Sequence, residues 1–384
     1  MSILFKKIRI VDTETDRNTN VLISENTFSE IKSLDRQNNF TEIIDGEGLV
    51  LMPSFIDMHC HLRDPGYTYK EDLESGQKTA LSGGFTTICC MANTMPVCDN
   101  PDTIQYILDK AKSLNMCEVI PVSAVTRGLK TNQLVDYDSM IKYTRIFSND
   151  GEPIFNKQTM IKALQASSKY HFKLLTHCEP EVEIIERDLK LLKKYGGNLH
   201  ICHVSKKESV ELIRAAKKDN LNVTCEVTPH HLFSYGLDYI VHPPFREKKD
   251  TEELLKGILD GTIDIIATDH APHSKKDKLK GARGLIGLEH AFALVYTLFK
   301  EANINIQLLS QLMSDTPSKI LNKRATKFNQ KTNANFVLLD LAKKYIIGEK
   351  KMNSKSENTP FLGQSVYGEV MMTIKNGEIK YDNR

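Results

Sequence analysis

The sequence predicts an α/β fold: a (β/α)8 barrel of the TIM type, with a small β-sandwich-like domain built from both termini. Three observations lead there. Short apolar or β-branched runs alternate with helical patterns through the middle of the chain, which implies parallel strands with helices outside them. Nearly every run ends in a polar or ionisable residue. A barrel gathers such ends around one axis, where barrel active sites lie, whereas a doubly wound open sheet would spread them along a line. Finally, residues 1–50 and 330–384 carry short β patterns that stand outside the alternation.

In chain order the runs are Leu49–His61, Gly84–Asn93, Glu118–Val125, Tyr143–Asp150, Phe172–His177, Leu199–Ser205, Val223–Pro229 and Ile263–Asp269. Helix candidates between them are Lys70–Ser82, Asp102–Leu114, Thr159–Tyr170, Val182–Tyr195, Lys206–Asp219 and Thr251–Asp260. In Val182–Tyr195, Ile184, Ile185, Leu189 and Leu192 form a helical stripe. At the termini the β patterns are Ile3–Val11, Glu42–Asp45, Asn335–Asp340 and Val370–Lys375, with Asn376-Gly377 as a hairpin turn into Glu378–Tyr381. The expected organisation is therefore a barrel over 51–329, flanked by 1–50 and 330–384 pairing as one small β domain. The polar stretch Lys350–Thr359 reads as a loop.

Bulk properties exclude several classes. A chain of 384 residues is long enough for a sizeable core. Hydrophobic content of 40% and charged content of 26% are ordinary for a soluble enzyme. A formal net charge of +2 gives no electrostatic argument for nucleic acid or membrane. No apolar run approaches the roughly 18–20 residues that span a bilayer, and the N-terminus has no signal-peptide pattern, so a cytoplasmic location is expected. The eight cysteines form no C-x-x-C pair, which suits small buried hydrophobes in a reducing compartment.

The chemistry concentrates at the strand ends. In Asp57-Met-His-Cys-His61, His59 and His61 share one face of a strand while Cys60 points to the other. Two imidazoles so placed can grip one metal ion. Arg63 follows two residues later, where a planar guanidinium could hold a carboxylate bidentately. Later runs end in Asp150, His177, His203 and Asp269. Four imidazoles and two carboxylates are enough for two divalent ions about 4 Å apart, a known hydrolytic arrangement.

With these residues in place, the chain resembles the amidohydrolase superfamily and, within it, the dihydroorotases of the class I type. The resemblance covers nearly the whole length. The superfamily shares the H-x-H, the two later histidines and the strand 8 aspartate. More specific to dihydroorotases are His61-Leu-Arg-Asp-Pro-Gly66, Met91-Ala-Asn-Thr-Met-Pro96, Cys225-Glu-Val-Thr-Pro-His-His-Leu232 and Thr268-Asp-His-Ala-Pro-His273. The resemblance implies that His59, His61 and Asp269 bind one ion, His177 and His203 a second, and that Asp150 bridges them. Some relatives use a carbamylated lysine at the bridge; Ser148–Gly151 has none, and Asn149 stands where bacterial members often carry a second aspartate. Zinc is the expected metal of both sites, although such ligands also accept manganese or cobalt.

The implied reaction is reversible cyclisation of N-carbamoyl-L-aspartate to L-dihydroorotate in pyrimidine (UMP) biosynthesis. Water is activated between the ions and Asp269 is the general base. The substrate carboxylate is expected at Arg63, Asn93 and His273, with Arg283 and Gly284 contacting the ring. His242 stands where asparagine is usual, which makes its charge a function of pH. His230, His231 and His270 are expected to support the site from behind, whereas His171, His200 and His290 read as ordinary core or surface residues, and Arg127 and Arg246 as structural or surface. The lysine-rich stretch before Arg283 reads as solvated surface or a mobile lid. Rival readings are a hydantoinase or allantoinase, and a catalytically dead partner of aspartate transcarbamoylase. A homodimer and association with that transcarbamoylase are the expected assemblies.

Overall fold

The computed structural model describes residues 2–31, 40–330 and 332–384; Met1, 32–39 and Lys331, which fall in the expected terminal β segments, lie outside the described residues. Parallel strands occupy Phe55–Cys60, Phe85–Cys90, Glu118–Pro121, Ile146–Ser148, Lys173–Thr176, Leu199–Ile201, Val223–Val227 and Ile265–Ile266. They pair in chain order as a group of three and a group of five. Bridges Ser123–Phe147 and Cys60–His270 join the groups at both edges and close the ring. The barrel expected from alternation is therefore present. Met58, Cys89, Ile146, Leu175, Cys202 and Ile265 cluster in one buried group distinct from the larger core beneath the helices.

The helices begin and end where local chemistry allows. Leu73–Ser82 starts three residues later than the sequence pattern, because Asp72 accepts the backbone N–H groups of Glu74 and Ser75 as a capping box. Pro101–Leu114 has Pro at its first turn and Asn100 as cap. Glu181–Tyr195 buries the expected stripe of Ile184, Ile185, Leu189 and Leu192. Ala291–Glu301 was not among the expected helices. It is apolar on most sides, with Phe292, Leu294, Val295 and Phe299 all buried, so it presents no amphipathic stripe for periodicity to detect.

The first apolar run, Leu49–His61, is two strands rather than one. Val50–Pro53 pairs with Ser2–Val11 and Phe336–Ile346, and Phe55–Cys60 enters the barrel. Ser54 marks the switch: its N–H donates to Asn335 O, while the next N–H, of Phe55, donates to Gly84 O. The termini hydrogen-bond as an eight-stranded mixed sheet. In Ser2–Val11, Ile3 and Phe5 share a core with Ile8 and Ile10 although their spacing breaks the period of two. A register shift between Phe5 and Ile8, with Lys7 at φ 52°, absorbs the odd residue and keeps both pairs facing inward. The expected Asn376-Gly377 hairpin is present, with both residues at positive φ.

Candidate active site

The barrel places the polar strand ends at one rim. His59 is fully buried, with Nδ1 2.6 Å from Glu226 Oε1. Its Nε2 faces Asp150 Oδ1 at 3.3 Å and Asp269 Oδ1 at 3.5 Å. His61 lies beside it, with Nδ1 2.8 Å from Asn93 Oδ1 and Nε2 3.2 Å from Asp269 Oδ1 and 3.3 Å from Asp150 Oδ2. From the opposite wall, His177 Nδ1 and His203 Nε2 lie 2.9 Å apart, at 3.6 and 3.4 Å from Asp150 Oδ1. Asp150 is thus central to four imidazoles. Arg63, His203 and Asp269 adopt positive φ of 61°, 35° and 48°, a backbone cost that only a well-packed surround sustains.

The donor set fits divalent cations. Ligand atoms of His59, His61 and Asp150 lie within 4.8 Å of one another, as do those of Asp150, His177 and His203. His59 Nε2 and Asp150 Oδ1 are buried without hydrogen-bond partners among the described residues. Such orphaned atoms cost about 1–3 kcal/mol each unless something satisfies them, and imidazole and carboxylate are ordinary zinc ligands. Burial alone would raise the Asp150 carboxyl, but His59, His177 and His203 hold it well below the carboxylate range. Asp269 is buried too, and His59 and His61 likewise hold it low. Cys202 also approaches His59 and Glu226, and burial pushes its thiol far up.

A cavity of about 200 Å³ opens beside this cluster, lined by His61, Arg63, Asn93, Asp150, His177, His203, His242, Asp269, His273, Arg283 and Gly284. His59 lies behind it, so all twelve residues expected from the sequence meet at one place. Two motifs dock against each other to build the wall. Met95 N–H donates to Pro65 O, and a Cβ on Gly66 (φ 100°) would meet Met95 O at 2.3 Å, so only glycine allows Arg63 and Asn93 this approach. Asn93 spends its carbonyl on His61, leaving its NH2 group available to the cavity. Arg63 is buried and anchored by Nε to Pro272 O at 3.2 Å. Lys70 Nζ lies 3.3 Å from His273 Nδ1, and His273 Nε2 lies 2.9 Å from Arg283 O. Arg63 Nη2 also reaches His273 Nε2, at 3.3 Å.

Several expectations are refined. Burial, then His177 and Arg283, pull His242 down to about 4, so it is a neutral imidazole around pH 7 and its charge does not vary there. Asn149 turns away from the cluster: its Oδ1 accepts the N–H groups of Val125 and Thr126. His231 is satisfied by Thr228 and Pro243, and the His230 ring packs against it, tilted by 44° with centroids 4.4 Å apart. Arg246 binds Ser205 and Glu181, a structural role. The lysine-rich stretch contains a short helix, Lys275–Leu279, and Lys278 Nζ donates to the carbonyls of Ile240, Ala282 and Gly284.

Two supports went unnoticed in the sequence. Glu226 binds His59 and, at 3.1 Å, His200 Nε2, and accepts the His203 N–H. Burial opposes its charge, but His59 and His200 bring it down to about 2. His200, read as an ordinary core residue, therefore belongs to the network. Glu71 is the second, buried against His270 Nε2 at 3.4 Å. For Glu226 the available signal was a lone acidic residue inside the mostly apolar strand Val223–Val227, since buried carboxylates need partners.

Comparison with known proteins agrees with this geometry. The profile of the amidohydrolase family matches residues 50–380. A dihydroorotase of Clostridium botulinum is 40% identical over 401 residues, covering 99% of this chain and 100% of the relative. A dihydroorotase of Caldicellulosiruptor saccharolyticus is 36% identical, covering 98% of each chain. Among solved structures, an L-hydantoinase from Arthrobacter aurescens superposes with a TM-score of 0.88 at 20% identity, over 99% of this chain and 96% of its own. A dihydropyrimidinase from Brevibacillus agri gives 0.87 at 19% identity, over 100% and 95%; at such identities the likeness concerns the fold. The cluster of candidate metal ligands, the barrel that presents it and the full-length sequence matches converge: the chain belongs to the amidohydrolase family, in its dihydroorotase branch.

Proposed function

We propose that this chain interconverts L-dihydroorotate and N-carbamoyl-L-aspartate, a step of pyrimidine biosynthesis, in the cytoplasm. The observation that carries the reading is buried Arg63 beside the Asn93 amide, in the same cavity as the ligand cluster. A buried guanidinium calls for an anionic partner, and dihydroorotate carries a carboxylate next to its hydrolysable amide. Hydantoin and dihydrouracil lack one and would leave Arg63 unpaired, a recognised route to discrimination.

Two divalent ions, zinc by preference, would be held by His59, His61 and Asp269 and by His177 and His203, with Asp150 between them. When bound, they supply Lewis-acid activation of water and of the amide carbonyl. Asp269, held ionised, takes the proton lost by the attacking water and returns it to the departing ring nitrogen. Arg63, Asn93 and His273 orient the carboxylate, and His242, Arg283 and Gly284 border the ring. Ring closure starts from a carboxylate that must gain a proton, so lower pH favours it.

The test is a side-by-side assay of dihydroorotate, N-carbamoyl-L-aspartate, hydantoin and allantoin, with metal analysis of the same sample. Turnover of the first two with bound divalent metal is expected. Turnover of hydantoin or allantoin alone would move the chain to the cyclic amidases. Absence of both activity and metal would favour the transcarbamoylase scaffold.

A further inference from the structure

The segment 350–359 contains no helix or strand, yet Ser354, Ser356, Asn358 and Thr359 are buried. It is a strap from the terminal β unit laid across the barrel rim. Ser354 binds Glu71, and Ser356 Oγ donates to Lys70 O at 2.7 Å. Asn358 is its most connected residue. Its Nδ2 donates to Ala271 O at 3.0 Å and to Gly284 O at 3.1 Å. Its Oδ1 accepts the His273 N–H at 3.0 Å, and its own carbonyl accepts the Ile286 N–H at 2.9 Å. One side chain thus ties the loop after Asp269 to the segment beginning at Gly284.

These two segments form one wall of the cavity, and Asn358 itself does not line it. A Cβ on Gly284 would meet Ala271 Cβ at 2.6 Å, so the segments are already at closest approach. Pro272, between the two tied residues, supplies the carbonyl that anchors Arg63 Nε. Among side chains of this length, only a primary amide offers two donors and an acceptor at once. Aspartate would keep the acceptor but set a carboxylate against two carbonyl oxygens.

We propose that Asn358 is a positioning residue that holds the carboxylate-binding wall in register, and so sets the preference for a carboxylated ring. The proposal rests on the dihydroorotase reading. N358A and N358D are compared with wild type by steady-state kinetics on dihydroorotate, metal content, melting temperature and hydrogen exchange of residues 271–286. The expected result is a KM at least about tenfold higher, the size of losing one to two hydrogen bonds. kcat should stay within about threefold, since Asp269 and the ligand cluster are untouched. Metal content should be unchanged and exchange in 271–286 faster. An unchanged KM with a lowered melting temperature would make Asn358 merely structural and overturn the proposal. So would failure of both variants to fold. A wild type inactive on dihydroorotate would sink the functional reading instead. Exchange would then decide the positioning role, and unchanged exchange would end it.

Discussion

The two imidazole pairs of the site are held by different means. His59 and His61 each have a hydrogen-bonded partner behind the ring, Glu226 at 2.6 Å and Asn93 at 2.8 Å. His177 Nε2 has no partner among the described residues. Its ring instead rests on His242, 4.8 Å away and tilted by 30°. Charge-assisted hydrogen bonds fix an imidazole's direction and tautomer, whereas ring contact fixes mainly its plane. The strand 1 half is therefore preset from behind, whereas His177 in the other half is held by ring contact. His61, His177 and His203 all border the cavity, so both halves face it.

The largest break in this comparison comes from the carboxylate that meets both rings of the preset half. Asp269→Asn keeps the shape and removes the proton acceptor. kcat should fall by about 10²–10⁴-fold, the usual share of a general base, with the melting temperature nearly unchanged. Residual kcat near wild type would remove Asp269 from that role.

Glu226→Gln and His242→Asn test the asymmetry itself. Losing the carboxylate behind His59 should raise the metal concentration for half-maximal activity by about 10–100-fold, as such outer partners do elsewhere. Replacing His242 removes ring contact worth about 0.5–1.5 kcal/mol, so the same measurement should move by no more than about tenfold. Equal losses in the two variants would show that both halves are held alike. His242→Asn should also leave the pH profile near neutrality unaltered, because burial already keeps this imidazole uncharged there, its pKa down at about 4.

The same division separates what could be read from the sequence from what could not. The ligands were legible because a histidine or aspartate closing an apolar run is an anomaly at fixed spacing, and the barrel turns six such anomalies into one rim. Arg63 and Asn93 were legible through motifs. The pairing of Glu226 was not, because it meets His59 across 167 residues of chain. Nothing local marks that pairing. Asn358 is 87 residues from Ala271 and 74 from Gly284, in a stretch without periodicity. Val50–Pro53 merged with the barrel strand because only Ser54 interrupts the apolar character at the change of sheet. What the sequence hid is tertiary pairing of polar groups, the term with no period.

The smallest effect lies outside both halves, where Lys355 of the strap binds Asp72. Partial burial would raise the Asp72 carboxyl, but Lys355 and the Ser75 N–H bring it from 3.8 down to about 2. A depressed carboxyl means that the unfolded state binds more protons between those values, so stability rises with pH across that window. The contribution is complete above pH 3.8 and is lost as the pH falls through about 2. Asp72→Asn preserves a good helix cap and removes only the charge. For an exposed pair the loss at neutral pH should be about 0.2–1 kcal/mol. Urea melts of wild type and variant should therefore differ slightly at pH 6 and converge towards pH 2. A difference that persists at pH 2 would mean that Asp72 acts through shape and capping rather than through its ion pair, leaving Glu71 and Asn358 to hold the strap.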